Sequence, residues 1–292
     1  MNYTIENEFL KVIISELGAE ITSIKLKEDG CEYIWQGDEK YWTGHAPNMF
    51  PICGRLVDGK YTYRGKEYEL GCHGFARHSV FSLCAAKDDE ITLMLKSNEE
   101  TRKIYPFDFV FTITFMLKGK SLNVKYKVIN TDTEEIIFSV GAHPAFNVPL
   151  TDSEKFEDYY IEFGKKCDAV RLGLSERCFC DGNDQLFTQG GTDRINLEHS
   201  LFDNDAIFLY NTSKTASLCS TKSKKSVTLT FSNFKYVGLW HKPKSDAPYI
   251  CIEPWCGCPD FEGTDGMLEH KSDMIKLAPS YSFSSSYKIE IK

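Results

Sequence analysis

The chain has 292 residues, with 34 basic side chains against 42 acidic ones and a net charge of −8. That length allows a large core, in one big β domain or two smaller ones, and the negative balance argues against nucleic acid or an anionic membrane as partner. Aromatic residues reach 13%, including 20 Phe and 15 Tyr, which favours strands because rings pack well on pleated surfaces.

The opening stretch "MNYTIENEFLKVIISELGAE" lacks a basic segment followed by an apolar core, so it does not read as a secretion signal. No apolar run nears the roughly 18–20 residues that span a bilayer. Eleven cysteines, an odd number scattered along such a chain, read as reduced thiols of a cytoplasmic protein. "RCFCD" (Cys178, Cys180) and "WCGCPD" (Cys256, Cys258) are C-x-C pairs without the C-x-x-C or H-x-x-x-H spacing of a zinc site, so no metal is expected.

Period-two alternation dominates from there on. "GKYTYRGKEYEL" reads as a hairpin turning at Arg64-Gly65. "DFVFTITFML" sets Phe109, Phe111, Ile113, Phe115 and Leu117 against Val110, Thr112, Thr114 and Met116, apolar enough on both faces to lie inside a sandwich. After the turn "KGK", "SLNVKYKVIN" points Leu122, Val124, Tyr126 and Val128 inward, so the two runs pair as a hairpin. "EEIIFSVGAHP" reads as a strand stopped by Pro144. Lys222-Ser223-Lys224-Lys225 reads as a solvated hairpin tip, and "KSVTLTFSNF" as the strand after it. "TDGMLEHKSDMIKL" holds one short helical turn at most. "YSFSSSYKIEIK" closes the chain as a half-buried strand, with Tyr281, Phe283, Ser285, Tyr287, Ile289 and Ile291 on its inner face. No linker, repeat or composition shift marks a boundary. The expectation is one all-β domain over residues 1–292, a large antiparallel β-sandwich or barrel.

Two strands end in a titratable residue followed by proline. In "EEIIFSVGAHP" Ile137 and the small or polar Ser139 and Gly141 share the parity of His143, while Phe138 and Val140 point the other way. That pattern suits a strand resting on the core with its other face flooring a cleft. Parity alone leaves two readings open, a turn histidine without a task and a proton carrier. In "APYICIEPWCGCPD", Glu253 shares parity with Tyr249 and Cys251 against Ile250 and Ile252, and Trp255 offers it an aromatic wall. Aromatic faces beside carboxylates suit sugars, whose C–H bonds stack on rings while acids grip hydroxyls. A third cluster holds Arg55, His73 and Arg77 among glycines that permit close approach of backbone and ligand. Either arginine could hold a hydroxyl pair or a phosphate, or be a surface turn residue. His78 reads as structural.

"NMFPICGRL", "HGFAR", "GAHPAFNVPL" and "IEPWCGCPD", in that order, resemble the aldose 1-epimerase (galactose mutarotase-like) family, most closely its LacX-like and hexose-6-phosphate-epimerase-like branch. The resemblance spans essentially the whole chain. It implies a galactose mutarotase-like supersandwich with a sugar cleft, no cofactor, and a sugar or sugar phosphate as the small-molecule partner. Residue by residue it implies Glu253 as catalytic base, His143 as catalytic acid and His73 as a substrate-orienting histidine. Arg55 and Arg77 become cleft arginines, and Asp205, or else Asp203, the aspartate that binds hydroxyls. Departures from the galactose mutarotase pattern around the first histidine and at Trp255 put galactose itself in question as substrate.

Anomer interconversion needs only a base at the anomeric hydroxyl and an acid at the ring oxygen, and Glu and His suit both tasks near neutrality. The expectation is a carboxylate Glu253 and an imidazolium His143 on either side of a pyranose-sized gap. A non-catalytic carbohydrate-binding protein would use the same cleft without needing that pair. A glycoside hydrolase would need two flanking carboxylates, whereas these motifs supply one carboxylate with histidines.

Overall fold

The computed structural model describes residues 1–187 and 194–292. Phe109–Lys118 and Ser121–Asn130 pair antiparallel along their whole length, from Lys118–Ser121 at the turn to Phe109–Asn130 at the far end. They lie within a nine-stranded sheet ordered Arg194–Asn196, Tyr159–Phe163, Thr215–Ser220, Ser226–Thr230, Ser282–Ile291, Ser121–Asn130, Phe109–Lys118, Glu90–Lys96, Ser82–Ala86. A second, eight-stranded sheet runs Gln185–Leu186, Val170–Arg171, Ile207–Tyr210, Tyr236–Trp240, Tyr249–Trp255, Gly141–Ala142, Asn48–Met49, and Ala145–Asn147 also pairs with Tyr249–Trp255. The inner faces of both sheets feed one hydrophobic core, with Phe109, Phe111 and Phe115 from the first and Leu209, Val237, Ile250 and Ile252 from the second. Truncating any one of these phenylalanines costs about 3–5 kcal/mol.

The opposite face of the second sheet carries Phe208, Tyr236, Cys251 and Trp255, which pack in two smaller clusters outside the main core. This two-faced sheet follows from the alternation of Ile250 and Ile252 with Cys251 and Glu253. A buried hydrogen-bond chain ties the layers together. Tyr126 Oη donates to Asn48 Oδ1 at 2.6 Å, and Asn48 Nδ2 donates to the carbonyls of Gly18 and Ala19 at 2.9 and 2.8 Å. Asn48 pairs with Ala142, so this chain anchors the strand that leads into His143.

Several sequence expectations need correction. The outer face of Phe109–Lys118 is not a second core face: Val110, Thr112 and Thr114 are half-buried and Met116 is exposed. Tyr281 is exposed because the last strand begins one residue later, at Ser282. The run before His143 is broken at Ser139-Val140. Ile136–Phe138 pairs with Ile275–Leu277, whereas Gly141–Ala142 joins the second sheet. Ile137 therefore enters the core and does not share the face of His143.

Pro254 does not end its strand, which continues to Trp255. Ile252 N–H reaches the Pro144 carbonyl and Cys256 N–H the Val140 carbonyl, and proline, lacking a donor, leaves the intervening bond unmade. The expected helical turn is a 3-10 turn at Leu268–His270. The α-helix among the described residues is Glu99–Ile104, which the alternation concealed; Asn98 caps it by accepting from Thr101 N–H.

All eleven cysteines are free thiols. The lysine-rich hairpin tip lies between Thr215–Ser220 and Ser226–Thr230, where Lys222 pairs with Asp158 and Lys225 with Asp29. No described helix is long and apolar enough to cross a membrane.

Candidate active site

Strand register places the two residues of greatest interest side by side. Gly141 pairs with Trp255 and Ala145 with Cys251, so His143, midway between them, faces Glu253. His143 Nε2 lies 3.2 Å from Glu253 Oε2, within ion-pair range but without hydrogen-bond alignment. The pair is therefore not split across a pyranose-sized gap, as the sequence suggested, but adjacent. It is also deep: Glu253 is 1% exposed and His143 7%.

The pair floors a cavity of about 290 Å³ that also takes in His73, Arg55, Arg77, Asp205 and Trp255. That volume is close to the lower end of the range for small-molecule sites, about 300–1,000 Å³. Every candidate named from the sequence reaches it except Asp203, which lies in the adjoining outer groove. Trp42, Cys72, Cys178, Phe208 and Trp240 line it as well, and sequence reasoning did not select them.

The cavity wall stores backbone strain. His73, Cys178 and Asp205 all have positive φ, at 66°, 62° and 73°. Each such residue costs about 1–3 kcal/mol unless its surroundings enforce it. His73 is enforced from both sides: its N–H donates to Gly54 O at 2.9 Å, and its Nδ1 accepts from Gly54 N–H at 3.1 Å. In the neutral ring the hydrogen is therefore on Nε2. The neighbouring Gly74 has φ +72°, and a Cβ there would lie 2.3 Å from the Phe50 carbonyl oxygen. Gly74→Ala is expected to cost at least about 1–3 kcal/mol through strain and clash together. A clear drop in Tm on thermal unfolding would show this, and an unchanged Tm would contradict it.

Electrostatics oppose charge on the floor. Burial, helped by the Arg77 cation, brings His143 down to about 3. Burial, then the Asp205 carboxylate, pushes Glu253 well above its ordinary value, against weaker pulls from the Trp255 N–H and Arg77. His73 is likewise driven well down by burial, then by His143, Arg77 and Arg55. The cavity floor thus favours a neutral imidazole beside a carboxyl that holds its proton more tightly than usual, the reverse of the charged pair expected from sequence. The total proton count is the same, since one proton is shared by two adjacent bases.

His143 Nδ1, Glu253 Oε2 and Trp255 Nε1 are buried without a hydrogen-bond partner among the described residues. Orphaned polar atoms clustered in one hollow call for a polar ligand. Donor atoms of His143, Cys251 and Glu253 lie within 4.8 Å of one another. Proton transfer would occupy two of those three. At the rim, Arg55 Nη2 pairs with Asp205 Oδ2 at 3.3 Å, and Cys178 Sγ donates to the same oxygen at 2.8 Å. Arg77 makes no ion pair among the described residues.

A sequence model for "Aldose 1-epimerase" matches residues 1–285. The chain belongs to the aldose 1-epimerase family. It is 35% identical to the plasmid-borne Protein LacX of Lactococcus lactis subsp. lactis, covering 100% of this chain and 99% of that protein. Among solved structures, a galactose mutarotase related enzyme from Lactobacillus acidophilus is 39% identical with a TM-score of 0.96, covering 100% of this chain and 97% of that one. A galactose mutarotase-like protein from Lactobacillus casei is 33% identical with a TM-score of 0.95, with full coverage of both chains. Aldose 1-epimerase family membership makes the chain a mutarotase-type isomerase with a sugar as its substrate class, on a galactose mutarotase-like β-sandwich.

Proposed function

We propose that this aldose 1-epimerase family member interconverts the α and β anomers of an unphosphorylated hexose, with Glu253 as base and His143 as acid. The observation that carries the proposal is the 3.2 Å approach of His143 Nε2 to Glu253 Oε2 on the cavity floor. In mutarotation the base takes the proton of the anomeric hydroxyl and the acid protonates the ring oxygen. The ring opens, the aldehyde turns about C1–C2, and the two groups exchange roles on closure. Both oxygens are bonded to C1, so acid and base must be neighbours, and adjacency suits the chemistry better than opposition across the ring.

The shared proton explains how two neutral groups can start the reaction. Moving it from Glu253 to His143 Nε2 creates the carboxylate and imidazolium that ring opening needs. Sugar hydroxyls entering the hollow, with Arg77 nearby, solvate the carboxylate and favour that transfer. His73 offers its Nε2–H to a substrate oxygen, Asp205 accepts from hydroxyls, and Trp255 walls the ring. Such fixed donors add stabilisation where oxyanion charge develops.

A free hexose is favoured over its 6-phosphate because Arg55, at the rim, already bonds the Asp205 carboxylate, which leaves Arg77 as the one cavity arginine without an ion pair among the described residues. A phosphate seated at Arg55 would face that carboxylate. Polarimetry of glucose, galactose and their 6-phosphates side by side should show kcat/KM at least about tenfold higher for a free sugar, a 1.4 kcal/mol preference. Preference for a 6-phosphate would overturn the substrate assignment. Binding of all four without anomer exchange would mark a carbohydrate-binding protein instead.

The pH profile follows from the same pair. Activity needs one proton on the pair, so acid inactivation occurs where His143 gains a second, near its value of about 3. Alkaline inactivation occurs where the raised Glu253 gives up the first. After subtraction of buffer-catalysed exchange, kcat/KM at pH 5 should stay close to its value at pH 7. An acid midpoint near the ordinary histidine value, about 6.5, would contradict the assignment.

A further inference from the structure

We propose that Trp42 is a positioning residue for the reaction, its indole face stabilising the imidazolium form of His143. This rests on the acid role given to His143 above. The two rings lie 5.0 Å apart, centroid to centroid, inclined by only 32°. A cation over an indole face within about 6 Å is attracted by the ring quadrupole, most strongly where water is excluded. Trp240 and His73 also meet His143, at 5.6 Å each, but nearly perpendicular at 79° and 84°. Trp42 is thus the nearest of these three rings to His143 and the one whose plane lies closest to parallel with the imidazole.

The charges around His143 show why such a contact matters. The Tyr249–Trp255 strand brings Glu253 and the thiol of Cys251, and the loop carrying His73 also brings Arg77. The Tyr236–Trp240 strand brings the uncharged Trp240. Arg77 and burial both oppose a charge on the imidazole. A backbone hydrogen bond favours it weakly, and ionised Glu253 and the Trp42 ring add to that.

The loop that carries Trp42 holds the ring in place. Trp35 Nε1–H donates to the Trp42 carbonyl at 2.8 Å, and Trp42 N–H donates to the Asp38 carbonyl at 3.0 Å. The indole folds back over Gly44, where a Cβ would fall 2.4 Å from Trp42 Cζ2. Alanine at that position would displace the indole without removing it.

Leucine at position 42 keeps the site apolar and dry but lacks the quadrupole; phenylalanine restores it. The test is the pH dependence of kcat, which reports the sugar-loaded pair with its proton on His143, with KM measured separately, for Trp42→Leu, Trp42→Phe and Gly44→Ala acting on glucose. Trp42→Leu should move the alkaline midpoint down by about 0.5–1 pH unit and lower kcat several-fold. Trp42→Phe should recover at least half of that shift, and Gly44→Ala should move the midpoint in the same direction as leucine. Equal midpoints for leucine, phenylalanine and wild type, with only KM raised, would overturn the inference and leave Trp42 as a sugar platform. His143→Gln separates the two levels. If it stays active, the acid assignment has failed; if it is inactive while Trp42→Leu leaves the midpoint unmoved, only the Trp42 inference has failed.

Discussion

Glu253→Gln is expected to slow anomer exchange by about 10²–10⁴-fold, the usual worth of one positioned proton transfer. Glutamine keeps the shape of the side chain and can still hydrogen-bond a hydroxyl, but it cannot take a proton. The substitution leaves the register that sets His143 opposite position 253 intact, because that register is held by backbone pairs at Gly141–Trp255 and Ala145–Cys251. Sugar binding should therefore remain measurable, and the loss should fall on kcat. Exchange NMR on α-glucose with wild type and variant at equal concentration reads both quantities. Wild-type exchange by Glu253→Gln would remove Glu253 from the reaction.

His143→Gln is expected to produce a loss of similar size, again about 10²–10⁴-fold in kcat. The glutamine amide can occupy the position of Nε2 as a donor, yet its hydrogen does not transfer. His143 N–H bonds the Pro47 carbonyl at 3.0 Å through the backbone, so the segment should keep its path. The variant should also lose the alkaline limb of the pH profile, because the remaining carboxyl no longer shares its proton with an imidazole. A residual rate within tenfold of wild type would mean that water or His73 supplies the ring-oxygen proton.

Much of the cavity lining is legible in the sequence, and for a physical reason. Glu253 alternates with Ile250 and Ile252 in a strand with one apolar and one functional face, and that period is local. The same reasoning erred at Pro254. Pro254 sits inside its strand, next to the irregular segment around His143, and alternation cannot distinguish an interrupted ladder from a strand end. It also joined Ile136–Phe138 to Gly141–Ala142, whose partners in the fold are different strands.

Long-range register was not legible at all. The adjacency of His143 and Glu253 depends on pairing between segments more than a hundred residues apart. The charge states followed the same course: burial, which sequence does not show, favours the neutral form of both groups. Trp42 escaped selection because its loop has no periodicity. Its relation to His143 rests on a tertiary contact and on the space that Gly44 leaves open. Asp205, preferred over Asp203 because it directly precedes a strand, is the one of the two that lines the cavity.

The central claim is that His143 and Glu253 act as one unit around a single shared proton. Exchange NMR on the double variant Glu253→Gln/His143→Gln, beside both single variants, tests it most directly. Residues that work as a unit are non-additive, so the double variant should be no slower than the slower single one. If instead the two losses multiply, the groups act independently, and the shared-proton account of this site is wrong.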